Sequence, residues 1–122
     1  MIVLDEQLMS PKIIEDFESW YKGSVTTILD LRPRTQIDDD AIPTLLRKVK
    51  QPTFITINYT DFWKVVAASR NYCIICLKLS GDRSLEVSLL ARDLPKMKEF
   101  STKKARMGKV ISWSDGKVSY YT

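Results

Sequence analysis

Three short stretches of this chain are nearly all apolar and do not alternate: Ile2-Val3-Leu4, Phe54 to Ile57 with Thr56 as its one polar residue, and Cys73 to Leu79 with Lys78 as its one charge. A strand with one face in water alternates apolar and polar side chains. A strand that is apolar throughout is buried on both faces, as in a parallel sheet covered by helices on each side. The segments between these runs have helical spacing, and this sets the fold class.

After the first strand, Ser10 offers an N-cap and Pro11 takes the first helical position, where its missing N–H costs little. Ile13, Ile14, Phe17, Trp20 and Tyr21 fall on one helical face, and Gly23 closes the helix. Val25 to Leu29 reads as a second strand, broken by Arg32-Pro33-Arg34. Asp38 or Asp39 caps a second helix whose Ile42, Leu45, Leu46 and Val49 repeat at i, i+3, i+4, i+7. Pro52 precedes the third strand, and a helical stretch follows from Thr60 or Asp61 through Val66. The fourth strand ends at the turn Ser80-Gly81-Asp82. Ser84 caps a helix from Leu85 to about Leu94, stopped by Pro95. Val110 to Trp113 and Val118 to Tyr121 flank Asp115-Gly116, a pairing that suits a type I′ hairpin. The expectation is an α/β fold: one three-layer α/β/α domain over residues 1–122, with a mostly parallel central sheet and a C-terminal β-hairpin.

The length of 122 residues fits one domain, and 44% hydrophobic with 28% charged residues is ordinary globular usage. No apolar run approaches the roughly 18 residues of a membrane span. Asp5 and Glu6 interrupt the apolar start, which is therefore no signal peptide, so the expected compartment is the cytoplasm. Histidine is absent. Its absence removes His-based nucleophile systems and nearly all zinc catalysis, and leaves carboxylates with a hard metal ion as the natural hydrolytic machinery. Cys73 and Cys76 have Cys-x-x-Cys spacing, but on a strand residues three apart face opposite ways. Two buried free thiols are expected rather than a redox pair or a zinc site.

The formal net charge is +4. Lys96, Lys98, Lys103, Lys104, Arg106 and Lys109 form a basic zone, and Asp38 to Asp40 an acidic spot. That combination suits a protein that holds phosphates while loading a divalent cation, although a solvated charged face is the plainer reading of the lysines. In open α/β sheets the site lies beyond the carboxyl ends of the strands. Asp5 ends the first strand, Asn58 and Asp61 follow the third, and Asp39 heads the helix leading into it. Asp39 and Asp61 have a plainer reading as helix caps. Asp5 does not, because a carboxylate ending a buried apolar strand needs a partner.

The opening Ile2-Val3-Leu4-Asp5-Glu6 through Ser10-Pro11 resembles that of short bacterial PIN-like domains. Asp39-Asp40-Ala41-Ile42 is similar to the family's Asp-x-x-Ile at its second helix, and Thr56 to Phe62 to its Thr-x-Asn-x-x-Asp-Phe segment. The resemblance spans essentially the whole chain, and extends to the toxins of VapBC-type toxin–antitoxin pairs and to RNA-processing nucleases. It implies Mg²⁺- or Mn²⁺-dependent hydrolysis of RNA. Asp5, Asp39 and Asp61 would bind the metal, and Glu6, Asp40 and Asn58 would support them. Arg32, Arg34, Lys103, Lys104 and Arg106 would hold RNA phosphates, and Tyr59 and Trp63 would stack bases, Trp63 having a plainer reading as core. An antitoxin protein is an implied partner, and a homodimer stays open. The neutral Asn58, where larger relatives of this kind carry an acid, keeps a second reading in play: a weakened module that binds RNA or a partner protein without cutting. A flavodoxin-like regulatory domain is a third reading, for which no convincing downstream Lys and Thr are found.

Overall fold

Six strands form one sheet in the order β2-β1-β3-β4-β5-β6. The computed structural model describes residues 1–31 and 41–122. Strand β1 (Ile2–Leu4) pairs in parallel with β2 (Val25–Thr27) on one side and β3 (Thr53–Thr56) on the other. Strands β4 (Cys73–Leu77) and β5 (Val110–Ser114) continue the parallel run. Strand β6 (Lys117–Tyr121) closes the sheet as the antiparallel arm of a hairpin. Asp115 and Gly116 at its turn have φ of 50° and 80°. Both values belong to the left-handed region that a type I′ turn requires, so the Asp-Gly reading of the hairpin holds.

Side-chain alternation along the strands divides the core in two. On the first face Ile2, Leu4, Ile55, Cys73, Ile75, Leu77 and Ile111 pack under Ile13 and Phe17 of α1 (Pro11–Glu18) and Val87 and Ala91 of α5 (Val87–Asp93). On the second face Val3, Phe54, Ile74, Cys76 and Val110 pack under Ile28 of α2 (Ile28–Leu31), Ile42, Leu45 and Leu46 of α3 (Ile42–Leu46) and Phe62 of α4 (Tyr59–Phe62). Helices therefore cover both faces, as the non-alternating strands require. No helix among the described residues is long and apolar enough to cross a membrane.

Helix α1 begins as expected, with Ser10 Oγ accepting from Ile13 N–H at 3.3 Å and Pro11 in the first turn. It ends at Glu18, short of Gly23, because Ser19 Oγ donates back to the Asp16 carbonyl at 2.6 Å and Trp20 and Tyr21 sit in the turn beyond. Strand β2 also stops early. The Asp30 carboxylate accepts from Thr26 Oγ1 at 3.1 Å and Thr27 N–H at 3.4 Å, which turns the chain into α2 where an extended run to Leu29 was expected. The segment expected as one helix from Leu85 divides into a 3₁₀ turn at Gly81–Glu86 and then α5. The expected cap of the second helix at Asp38 or Asp39 lies outside the described residues.

The connections have a mixed hand. The β1–β2 link steps one way across the sheet with α1 on the first face, and the β2–β3 and β3–β4 links step the other way with α3 and α4 on the second. The β4–β5 link steps like those two, yet its α5 lies on the first face beside α1. Its hand is therefore opposite to the other three, an uncommon arrangement in parallel sheets. It crowds two helices onto one face and leaves the second face open beside β5 and β6.

Cys73 belongs to the first core and Cys76 to the second, both free and fully buried. Burial pushes each thiol up to about 12. Neither is a usable thiolate near neutral pH. Thiol-labelling reagents are therefore expected to react with both only as fast as the protein unfolds. Rapid labelling of either in the folded state would show that this account of the core is wrong.

Candidate functional site at the carboxyl rim

The strand order reverses direction between β1 and β3, because the chain leaves β1 towards β2 and comes back on the other side of it. A crevice opens outside the carboxyl ends of two strands at such a switch point, and ligands of open α/β sheets bind there. Asp5 follows β1 at this position, only 3% exposed. Its backbone continues the ladder, with N–H donating to Ile55 O at 3.0 Å, while its carbonyl accepts from Leu8 N–H at 2.8 Å to start the 3₁₀ turn Glu6–Leu8.

The Asp5 carboxylate has two defined partners. Oδ1 accepts from Glu6 N–H at 2.8 Å, and Oδ2 accepts from Thr56 Oγ1 at 2.6 Å. The direction of the second bond follows from its neighbour: Asn58 N–H donates to Thr56 Oγ1 at 2.9 Å, which leaves the Thr56 proton free to point at Asp5. Asn58, Thr56 and Asp5 thus form a relay that presents only donors to the carboxylate and favours its ionised form. Burial acts against this and is the larger effect, so the Asp5 carboxyl sits above its ordinary value. No lysine or arginine contributes to that balance. The carboxylate is buried and hydrogen-bonded but lacks a counter-charge among the described residues.

Beyond Asp5 a cleft of about 400 Å³ runs along the ends of β3 and β4, lined by Gln7, Asn58, Tyr59, Thr60 and Lys78. The Lys78 ammonium lies 5.8 Å from the centre of the Tyr59 ring, and Tyr59 Oη is 2.7 Å from Ser112 Oγ. Next to it, the open part of the second face forms a groove of about 690 Å³ with an aromatic wall. Tyr59 and Trp63 rings are 6.1 Å apart, and Trp63 and Tyr121 rings 5.1 Å. Trp63 is half-buried: it packs against the second core and also lines the groove.

Of the residues expected to build the site, Asp5, Glu6, Asn58 and Asp61 share this rim. Asp61 is exposed in the first turn of α4. Asp39, Asp40, Arg32 and Arg34 lie outside the described residues. Among the described residues no group of three or more Asp, Glu, Cys or His is placed to share a metal ion.

Lys103, Lys104 and Arg106 are not brought to this rim. They form α6 (Lys103–Arg106), which leads into the start of β5 and so stands at the amino edge of the sheet. Burial, then the nearby charges of Lys103 and Arg106, hold the Met1 amino group below its ordinary value. Asp5 lies four strand residues further along, about 13 Å at about 3.3 Å per residue. Arg106 Nη1 donates to Phe100 O at 3.1 Å and Lys109 Nζ to Glu99 O at 2.7 Å, so part of the basic zone ties down its own segment. Among the described residues, Lys78 is a cation that does reach the rim. The strand-end rule that singled out Asp5 would have found it, because Lys78 directly follows Leu77.

Searches of family models, of curated proteins and of solved structures give no match to this chain.

The buried carboxylate leads to two expectations. Burial raises the folded-state value above the ordinary 3.8, so the folded chain holds this proton more tightly than the unfolded chain. The group's contribution to stability is therefore complete below 3.8 and is lost as pH rises through the folded value. Asp5→Asn should remove this pH dependence, because an amide does not titrate in this range. Thr56→Val removes the donor to Asp5 Oδ2 and should cost about 1–3 kcal/mol. Thermal melts of the three proteins from pH 3 to 8 check both; a pH dependence left unchanged in Asp5→Asn would contradict the assignment.

Proposed function

We propose that this chain is a PIN-like domain that hydrolyses RNA phosphodiester bonds with Mg²⁺ or Mn²⁺, held by Asp5 together with Asp61 and Asp39. The observation that carries the proposal is the Asp5 carboxylate, buried at the switch point of the sheet, supplied only with hydrogen-bond donors and lacking a counter-charge among the described residues. A divalent cation is the counter-charge such a group accommodates. The cleft next to it is lined by the Asn58 and Gln7 amides, whose oxygens are of the hard type these ions prefer, as is the Asp5 carboxylate itself.

Each residue of the rim has a role on this reading. Thr56 orients Asp5 and its donated hydrogen bond favours the ionised form, and Asn58 fixes the Thr56 hydroxyl in its donor state. Lys78 holds a phosphate flanking the scissile one. Tyr59, Trp63 and Tyr121 offer stacking faces for unpaired bases, which favours single-stranded over duplex RNA. When bound, the ion supplies Lewis-acid activation of water and neutralises charge at phosphorus. The toxin role in a VapBC-type pair, with an antitoxin as partner, belongs to the same proposal.

One observation favours a second reading. Asp61 is exposed on its helix and residue 58 is an amide, so the carboxylate density at the rim is low among the described residues. A domain of this shape that binds RNA or a partner protein without cleavage fits those facts.

Incubation of the purified chain with single-stranded RNA separates the two readings. Cleavage is expected in Mn²⁺ or Mg²⁺, is expected to stop in EDTA, and should fall at least about a hundredfold in Asp5→Asn. RNA binding that persists in EDTA and in Asp5→Asn, with no cleavage in any metal, would establish the second reading. For affinity, Lys78→Ala should weaken RNA binding by about 1 kcal/mol, roughly fivefold, and more than Lys103→Ala or Lys104→Ala does. The reverse order would move the RNA path to the other edge of the sheet.

A further inference from the structure

On the first face, at the opposite edge from Asp5, the crowding of α1 and α5 leaves a cavity of about 200 Å³. Its floor is the sheet, through Ile2, Ile55 and Ile75, and its wall is Ala91 and Leu94, all buried. Four half-buried residues form the rim: Trp20, Tyr21, Pro95 and Arg106.

The two aromatic rim residues cannot simply swing in and fill the space. Trp20 Nε1 donates to Ser88 Oγ at 2.8 Å, which ties the end of α1 to α5. Tyr21 Oη accepts from the Met1 amino nitrogen at 3.0 Å. Both polar handles are engaged, so the rings stay at the rim as walls.

The rim is cationic. Arg106 lines it, Lys103 stands one helical turn away on α6, and neither makes an ion pair among the described residues. Arg106 spends one N–H on the Phe100 carbonyl and keeps further donors of its planar fork. An apolar chamber with an unpaired guanidinium at its mouth is complementary to an apolar body that ends in a carboxylate. An apolar cavity of about 150 Å³ accepts benzene, so about 200 Å³ takes a phenyl-sized body with a short acidic arm.

We propose that this cavity is a binding site for a small aromatic or branched aliphatic monocarboxylate, its apolar part under Ala91 and Leu94 and its carboxylate on Arg106. The site lies on the other face and the other edge of the sheet from Asp5, and its existence does not depend on the RNA reading.

Phenylacetate is the probe, added to the full chain and followed through the methyl resonances of Ile2, Ile55 and Ile75 by NMR. Saturable shifts are expected with Kd near or below about 1 mM. The uncharged phenylacetamide should bind about tenfold more weakly, and Arg106→Gln should weaken phenylacetate by a similar factor. Ala91→Phe, which fills the chamber, should abolish the shifts. The proposal is overturned if the shifts do not saturate by about 10 mM, or if the amide binds as well as the acid. Unchanged phenylacetate binding by folded Ala91→Phe would overturn it equally. The comparison of acid with amide uses only the wild-type chain, so it decides the matter even where Ala91→Phe does not fold.

Discussion

The Thr56 hydroxyl, donating to Asp5 at 2.6 Å while accepting from Asn58, joins the fold of this protein to its chemistry. A carboxylate cannot end a strand as buried as β1 without compensation, since an unpaired charge would neutralise or force the strand apart. Two neutral donors supply part of that compensation. They leave the negative charge in place, and no lysine or arginine among the described residues offsets it.

That charge lies where the sheet topology puts it. Strands β1 and β3 are neighbours in space but are separated in sequence by the excursion through β2, and the reversal between them is the switch point at which Asp5 sits. The two connections following β3 then shape the rest of the molecule. Helix α4 brings Tyr59 and Trp63 to the second face, and the oppositely handed β4–β5 connection puts α5 on the first. One consequence is the open aromatic groove beside the rim. The other is the apolar chamber at the far edge, under two helices that share one face. Asp5 and the Lys103–Arg106 segment therefore sit at opposite ends of the strands, about a strand length apart.

Much of this was legible from residue types. The non-alternating runs marked the parallel strands, Ser10-Pro11 marked the start of α1, Asp115-Gly116 marked the hairpin, and the strand register separated Cys73 from Cys76. Asp5 stood out because nothing in an apolar strand accounts for it. Other features were hidden by local hydrogen bonds that periodicity does not register. Asp30 shortens β2, Ser19 shortens α1, and the 3₁₀ turn before α5 keeps apolar spacing while changing the helix type. The basic zone is a different case. Lys103 to Lys109 directly precede β5, and in a parallel sheet a segment that enters a strand must lie at the amino edge. Charge clustering alone does not register that rule and so does not single out Lys78, which leaves β4 at the carboxyl edge.

The central claim is that Asp5 awaits a cation. The most direct test follows the Asp5 carboxyl carbon by NMR as pH is varied, with and without Mg²⁺. Without the ion its midpoint should lie above that of an ordinary aspartate; with the ion present the midpoint should fall and the resonance should shift. A midpoint that Mg²⁺ leaves unmoved would contradict the account, and the Asp5 carboxylate would then be only a buried hydrogen-bonding group at the end of a strand.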